Sequence, residues 1–115
     1  MLIGQTVLAP TTPGAVYYTP WMPRQGNALR AVVEFFRRSG TLTLTCEVET
    51  KNNEDSDASL VSLGSYTVTT TAAGASSSAL MTGCRELVRY KFTATGTSAL
   101  QWVHFRSNPP IWLPN

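Results

Sequence analysis

Apolar and polar residues alternate with a period of two along most of this chain, which is the mark of strands with one buried face. In the run Leu29 to Arg38 the apolar set includes Ala31, Val33 and Phe35; in Thr41 to Thr50 it includes Leu44, Cys46 and Val48. With Ser39-Gly40 as a two-residue loop, the pattern predicts a hairpin. Its register sets Phe35 against Leu44, Val33 against Cys46 and Ala31 against Val48. The other face then pairs Arg30 with Glu49, Glu34 with Thr45 and Phe36 with Thr43.

A polar loop, Lys51 to Ser59, follows. Leu60 to Thr70 reads as a strand whose apolar parity changes, from Val61 and Leu63 to Tyr66 and Val68, with Gly64 at the switch. A glycine at a parity break predicts a bulge or bend. Thr69 to Ala79 is small, uncharged and of low complexity, and is expected to be a loop. Ala79 to Met81 reads as a short strand before a Thr82-Gly83 turn. In Glu86 to Thr95, Val88, Tyr90, Phe92 and Ala94 point inward while Arg89, Lys91 and Thr93 point outward. Gly96 to Ser98 turns the chain into Leu100 to Ser107, a strand apolar or aromatic on both faces. That strand is expected to be central, or covered on one side by an arm or partner. Asn108-Pro109-Pro110 is expected to end it.

Seven or eight short strands, with no helical pattern and no repeat, predict an all-β, single-domain β-sandwich or jelly roll. All seven prolines lie outside the central stretch: Pro10, Pro13, Pro20, Pro23, Pro109, Pro110 and Pro114. Proline fixes φ and lacks an N–H donor, so both ends read as extended. The expected organisation is an N-terminal arm (1–27), a core (28–108) and a C-terminal tail (109–115). Tyr17, Tyr18, Trp21 and Met22 on the arm, and Ile111, Trp112 and Leu113 on the tail, are the candidate partner-contact residues. Apolar arms cover either their own core or a neighbouring subunit.

The chain has 115 residues, 43% of them hydrophobic but only 14% charged, with net charge +2. The charged fraction is well below the usual quarter, which favours packing against other protein. Arg30, Arg37, Arg38, Arg85, Arg89, Lys91 and Arg106 are scattered over several strands among glutamates. No basic stripe for nucleic acid forms. The opening MLIGQTVLAP has no basic region and no continuous apolar run, so it does not read as a secretory signal. No segment approaches the ~20 apolar residues of a membrane span. Synthesis and folding in a cytoplasm are expected. There Cys46 and Cys84 are either buried free thiols or, if their segments are neighbours, one disulfide.

No reading of the chemistry yields an enzyme. His104 is the only histidine, there is no G-x-S-x-G elbow, and Cys46 points inward. Glu47 and Glu49 share a face with Glu34 opposite, but Arg30 opposes Glu49, as in surface ion pairing. Glu54, Asp55 and Asp57 lack the spacing of a calcium loop, and two cysteines with one histidine are too few for a zinc site. Phosphate-binding glycine loops are absent. No cofactor or metal is expected. Tyr17, Tyr18, Trp21, Trp102 and Trp112 leave open a carbohydrate-binding module.

The run ELVRYKFTATG, Glu86 to Gly96, and the ending WVHFRSNPPIWLPN, Trp102 to Asn115, resemble small virion structural proteins of tailed bacteriophages. The likeness is one of overall character across most of the chain. It implies a capsid decoration (cement) protein, made in the host cytoplasm and sited on the capsid surface. Its implied partners are itself, as a trimer, and the major capsid protein, with no direct nucleic-acid or membrane contact. A tail or head–tail joining component would share these properties.

Overall fold

The computed structural model describes residues 4–8, 14–39, 42–96 and 101–114. These form ten strands: β1 Gly4–Leu8, β2 Gly14–Tyr18, β3 Met22–Pro23, β4 Ala28–Ser39, β5 Thr43–Lys51, β6 Val61–Thr67, β7 Gly74–Ser77, β8 Met81–Thr82, β9 Leu87–Thr95 and β10 Trp102–Leu113. Among the described residues the only helical element is a 3-10 turn, Asp57–Ser59. The strands make two antiparallel sheets, so the protein is a β-sandwich. The first sheet runs β1-β10-β4-β7, with β8 also on β4; the second runs β2-β9-β5-β6, with β3 also on β9.

The order has a simple logic. β1 pairs with β10, β2 with β9, β4 with β7 and β5 with β6. The chain is thus one long antiparallel hairpin with its tip at the 52–60 loop. Wrapping that hairpin sends successive pairs to alternate sheets, and β10–β4 and β9–β5 close the sheets laterally.

The core lies between the sheets and follows the alternation. Leu29, Ala31, Val33 and Phe35 of β4, with Val103 and Phe105 of β10, face Leu44, Cys46 and Val48 of β5 and Val88, Tyr90, Phe92 and Ala94 of β9, all buried. Phe92 is its centre, with ring centroids 4.6 Å from Phe105, 5.9 Å from Tyr90 and 6.2 Å from Tyr17. The Tyr90 hydroxyl donates to the Asn108 carbonyl at 3.2 Å, so this buried phenol keeps a partner.

Three expectations are corrected. The hairpin of Leu29–Arg38 with Thr41–Thr50 does not form, because β4 and β5 lie in different sheets. Phe35 pairs with Phe105, Cys46 with Phe92 and Val48 with Tyr90. A hairpin and a crossing between sheets send the same residues to the core, so the pattern fixes the face of each strand and not its neighbour. Gly40 and Thr41, in the expected loop, lie outside the described residues.

Next, Asn108-Pro109-Pro110 does not end the last strand. β10 continues, with Ile111, Trp112 and Leu113 paired to Arg30, Leu29 and Ala28. The prolines sit in a register shift between Asn108 and Ile111, where absent N–H groups interrupt the ladder least. The expected tail is the end of a strand.

Finally, the Thr69–Ala79 loop contains β7, paired to Val32–Phe35. The small residues Gly74, Ala75, Ser76 and Ser77 give no apolar signal, and backbone and hydroxyl bonds hold this edge instead. The Ser78 N–H donates to the Ala31 carbonyl at 2.9 Å, and the Ala31 N–H donates to Ser78 Oγ at 2.9 Å.

Three further expectations agree with the fold, and the short strand expected over Ala79 to Met81 lies instead at Met81–Thr82. β9 alternates as expected, and β10 is central, flanked by β1 and β4. The parity switch in β6 is a bulge: Val48 pairs with Gly64 and Glu49 with Ser62. Gly64 sits there at φ +141°, a backbone region that favours glycine.

Candidate association surface

The seven candidate contact residues divide between core and surface. Tyr17 stacks on Phe92, Met22 is buried, and Trp112 packs against the core. Tyr18 and Ile111 are exposed, 45% and 50% respectively. Trp21 and Leu113 are half-buried. The described segments 14–24 and 111–114 are therefore stitched to their own sandwich. The Thr19 N–H donates to the Tyr90 carbonyl at 3.0 Å, and the Tyr90 N–H donates to Thr19 Oγ1 at 2.9 Å. The Arg24 N–H reaches the Glu86 carbonyl at 2.9 Å, and Asn27 Nδ2 donates to the Pro114 carbonyl at 3.0 Å. Gly26 fits beneath the last strand because a Cβ there would come 2.5 Å from the Leu113 carbonyl oxygen.

On the outer face of the second sheet, Arg89 latches the N-terminal segment down. Its guanidinium lies 4.2 Å from the Tyr18 ring centroid and 4.4 Å from that of Trp21. Its Nε donates to Glu49 Oε1 at 2.9 Å, and Glu49 is only 6% exposed. Lys51 stands 4.9 Å over Trp21 and pairs with Asp57 at 2.7 Å. The Lys51 hydrogen bond holds the Asp57 carboxyl below its ordinary pKa, opposed by partial desolvation and helped by the charges of Lys51 and Arg89 and the Trp21 indole.

The first sheet's outer face carries Phe36 and His104, with ring centroids 4.7 Å apart, and Trp102 with Arg37 5.7 Å over its ring. Arg106 pairs with Glu34 there. The three glutamates weighed for acid–base chemistry each have a cationic partner: Glu34 with Arg106, Glu47 with Lys91 at 3.9 Å, and Glu49 with Arg89. Tyr18, Trp21 and Trp102 each have a cation over the ring, which occupies a face that a sugar would need. Among the described residues, no group of three or more His, Cys, Asp and Glu side chains is placed to hold a metal ion. Nor, among those residues, is any helix long and apolar enough to cross a membrane.

Cys46 and Cys84 are both free and buried. Burial, with Glu47 nearby, pushes the Cys46 thiol from 9.0 up to about 12. Burial also raises Tyr66 and Tyr90 above their ordinary 10.0. The folded state holds these protons more tightly than the unfolded chain. The stability they contribute is complete below pH 9 and is lost as pH climbs toward 12. The thermal midpoint should hold steady up to pH 9 and fall by about pH 11, with a shallower fall in Cys46→Ala. A level profile over that range would contradict the assignment.

The feature that sequence reasoning missed is where charge is absent. Every Lys, Arg, Asp and Glu lies on the central strands β4, β5, β9 and β10 or in residues 24, 54–57 and 85–86. The outer and short strands β1, β2, β3, β6, β7 and β8 carry none. The run Ala58 to Cys84 has no Asp, Glu, Lys, Arg, His or Pro at all. The signal was readable as two long uncharged stretches, but its meaning needed the strand order. Soluble sheets commonly protect their edges with charge; here the rim strands carry no charged residue of their own.

Fold and surface together define an antiparallel β-sandwich with uncharged rim strands and with segments 14–24 and 111–114 folded onto its own core. No family model matches the sequence, and no curated protein or solved structure matches it.

Proposed function

We propose that this chain is a non-enzymatic structural subunit of a virion, a decoration or cement-type protein that works by protein–protein contact on a capsid shell. The observation that carries the reading is the uncharged rim. A strand edge without charge pairs readily with neighbouring chains, and a shell component uses such contacts where a free monomer must avoid them. The strand order, β1-β10-β4-β7 facing β2-β9-β5-β6, is read as that of a jelly roll, an architecture found in viral capsid and lectin domains. Fold alone does not choose between those uses. The cations over Tyr18, Trp21 and Trp102 favour the shell reading.

A carbohydrate-binding module is the second reading, favoured by Trp102, His104 and Phe36 on one sheet face. The test is quantitative mass spectrometry of density-gradient-purified particles from the source, beside a glycan array probed with the purified protein. The proposal predicts many copies per particle and no glycan signal. Absence from particles, with glycan binding lost in Trp102→Ala, would overturn it.

A further inference from the structure

We propose that the regular half of β6, Gly64–Thr67, pairs antiparallel with the same segment of a second copy of this chain. The pairing joins the second sheets of two molecules across a two-fold axis. It rests on the association reading above and names its edge and partner.

Among the described residues β6 is the last strand of its sheet and pairs only with β5. Alternate backbone N–H and C=O groups along it therefore point away from the sheet. Proteins close such edges with charge, proline, bulges or short strands. The opposite edge, β2 and β3, is punctuated by Pro20 and Pro23. β6 has no charge and no proline, and its one bulge lies at Gly64. Past the bulge Ser65, Tyr66 and Thr67 pair in register with Glu47, Cys46 and Thr45. The Val68 N–H extends the ladder to the Leu44 carbonyl at 2.8 Å. Past the bulge, an edge without charge or proline runs from Ser65 to Val68.

The lack of charge on the segment itself suits pairing with a second copy. Across a two-fold axis each residue meets its own neighbourhood, so any charge at the contact is repeated against itself. This segment has none. On the same flank β7 lies beside it, with the Tyr66 hydroxyl donating to the Ser76 carbonyl at 3.2 Å. The charged groups that reach this flank are each bonded within the molecule: Glu47 by the Ser62 hydroxyl at 2.8 Å, Arg30 to the Ser78 carbonyl at 3.2 Å and Arg38 to Thr70 Oγ1 at 3.1 Å. Val61 and Leu80, 42% and 40% exposed, border the same flank. Pairing centred on Tyr66 sets the exposed Ser65 against the partner's Thr67, a hydroxyl pair that suits adjacent strands.

The experiment is light scattering behind size exclusion on the full-length chain, over a concentration series reaching about 100 µM. A monomer–dimer equilibrium is expected. Ser65→Lys with Thr67→Lys should weaken it by about tenfold or more, since like charges then oppose one another. Ser65→Glu with Thr67→Glu should do the same, and an equimolar mixture of the two double variants should restore dimers. Circular dichroism checks folding, and single Thr67→Lys serves if a double variant misfolds. A monomer throughout, a trimer, or a dimer indifferent to both variants would overturn the proposal. A dimer absent from particles would sink the virion reading alone; a monomer abundant in particles would sink this one alone.

Discussion

Arg89→Ala should lower stability by about 3–5 kcal/mol, because it strands Glu49 as a buried carboxylate without its cation. The side chains of Arg89 and Glu49 are 13% and 7% exposed, so solvent can do little to replace the lost partner. The same change removes the cation between Tyr18 and Trp21 and loosens the N-terminal segment from β9. Chemical denaturation should show the loss, and Trp21 fluorescence should report a changed environment before the global transition. The double variant Arg89→Met with Glu49→Leu should recover most of the stability, since apolar residues of similar volume substitute well for a buried ion pair. A single variant as stable as the wild type would mean that the latch contributes nothing.

Phe92→Ala should be comparably damaging. Phe92 is fully buried, and its ring bridges Tyr17 and Tyr90 of one sheet to Phe105 of the other. Removing it opens a cavity where the sheets meet, at a cost of about 3–5 kcal/mol. At about 4–8 °C per kcal/mol for a domain near this size, the thermal midpoint should drop by more than 10 °C. Calorimetry measures it, and Phe92→Leu should lose markedly less. Near-wild-type behaviour of Phe92→Ala would contradict a core centred on this ring.

How much was legible in the sequence follows from what alternation encodes. It specifies which side of a strand is buried, so Val88, Tyr90, Phe92 and Ala94 could be placed correctly without a structure. It does not specify which strand lies alongside, so Phe35 was matched to Leu44 when its neighbour is Phe105. The glutamates show the same limit. Glu49 needs a cation in either arrangement, and Arg30 and Arg89 are equally good on paper; only the sheet order selects Arg89. Proline gave a correct local rule and a wrong conclusion. Pro109 and Pro110 do interrupt pairing, yet a bulge absorbs them and Trp112 still reaches the core. β7 had no apolar signal to read, because an edge strand of Gly, Ala and Ser is held by backbone bonds. The uncharged rim was written in the composition of Ala58 to Cys84 but becomes a surface only once β6 and β7 are known to share a flank.

The central claim is that association runs through the β6 edge while segments 14–24 and 111–114 belong to their own sandwich. Hydrogen–deuterium exchange at low and high protein concentration tests it most directly. The account predicts that amides of 14–22 and 111–113 are protected at both concentrations, and that those of 64–68 gain protection as concentration rises. If 64–68 stays unchanged while 14–22 becomes protected only on association, the N-terminal segment is an intersubunit strap and the account is wrong.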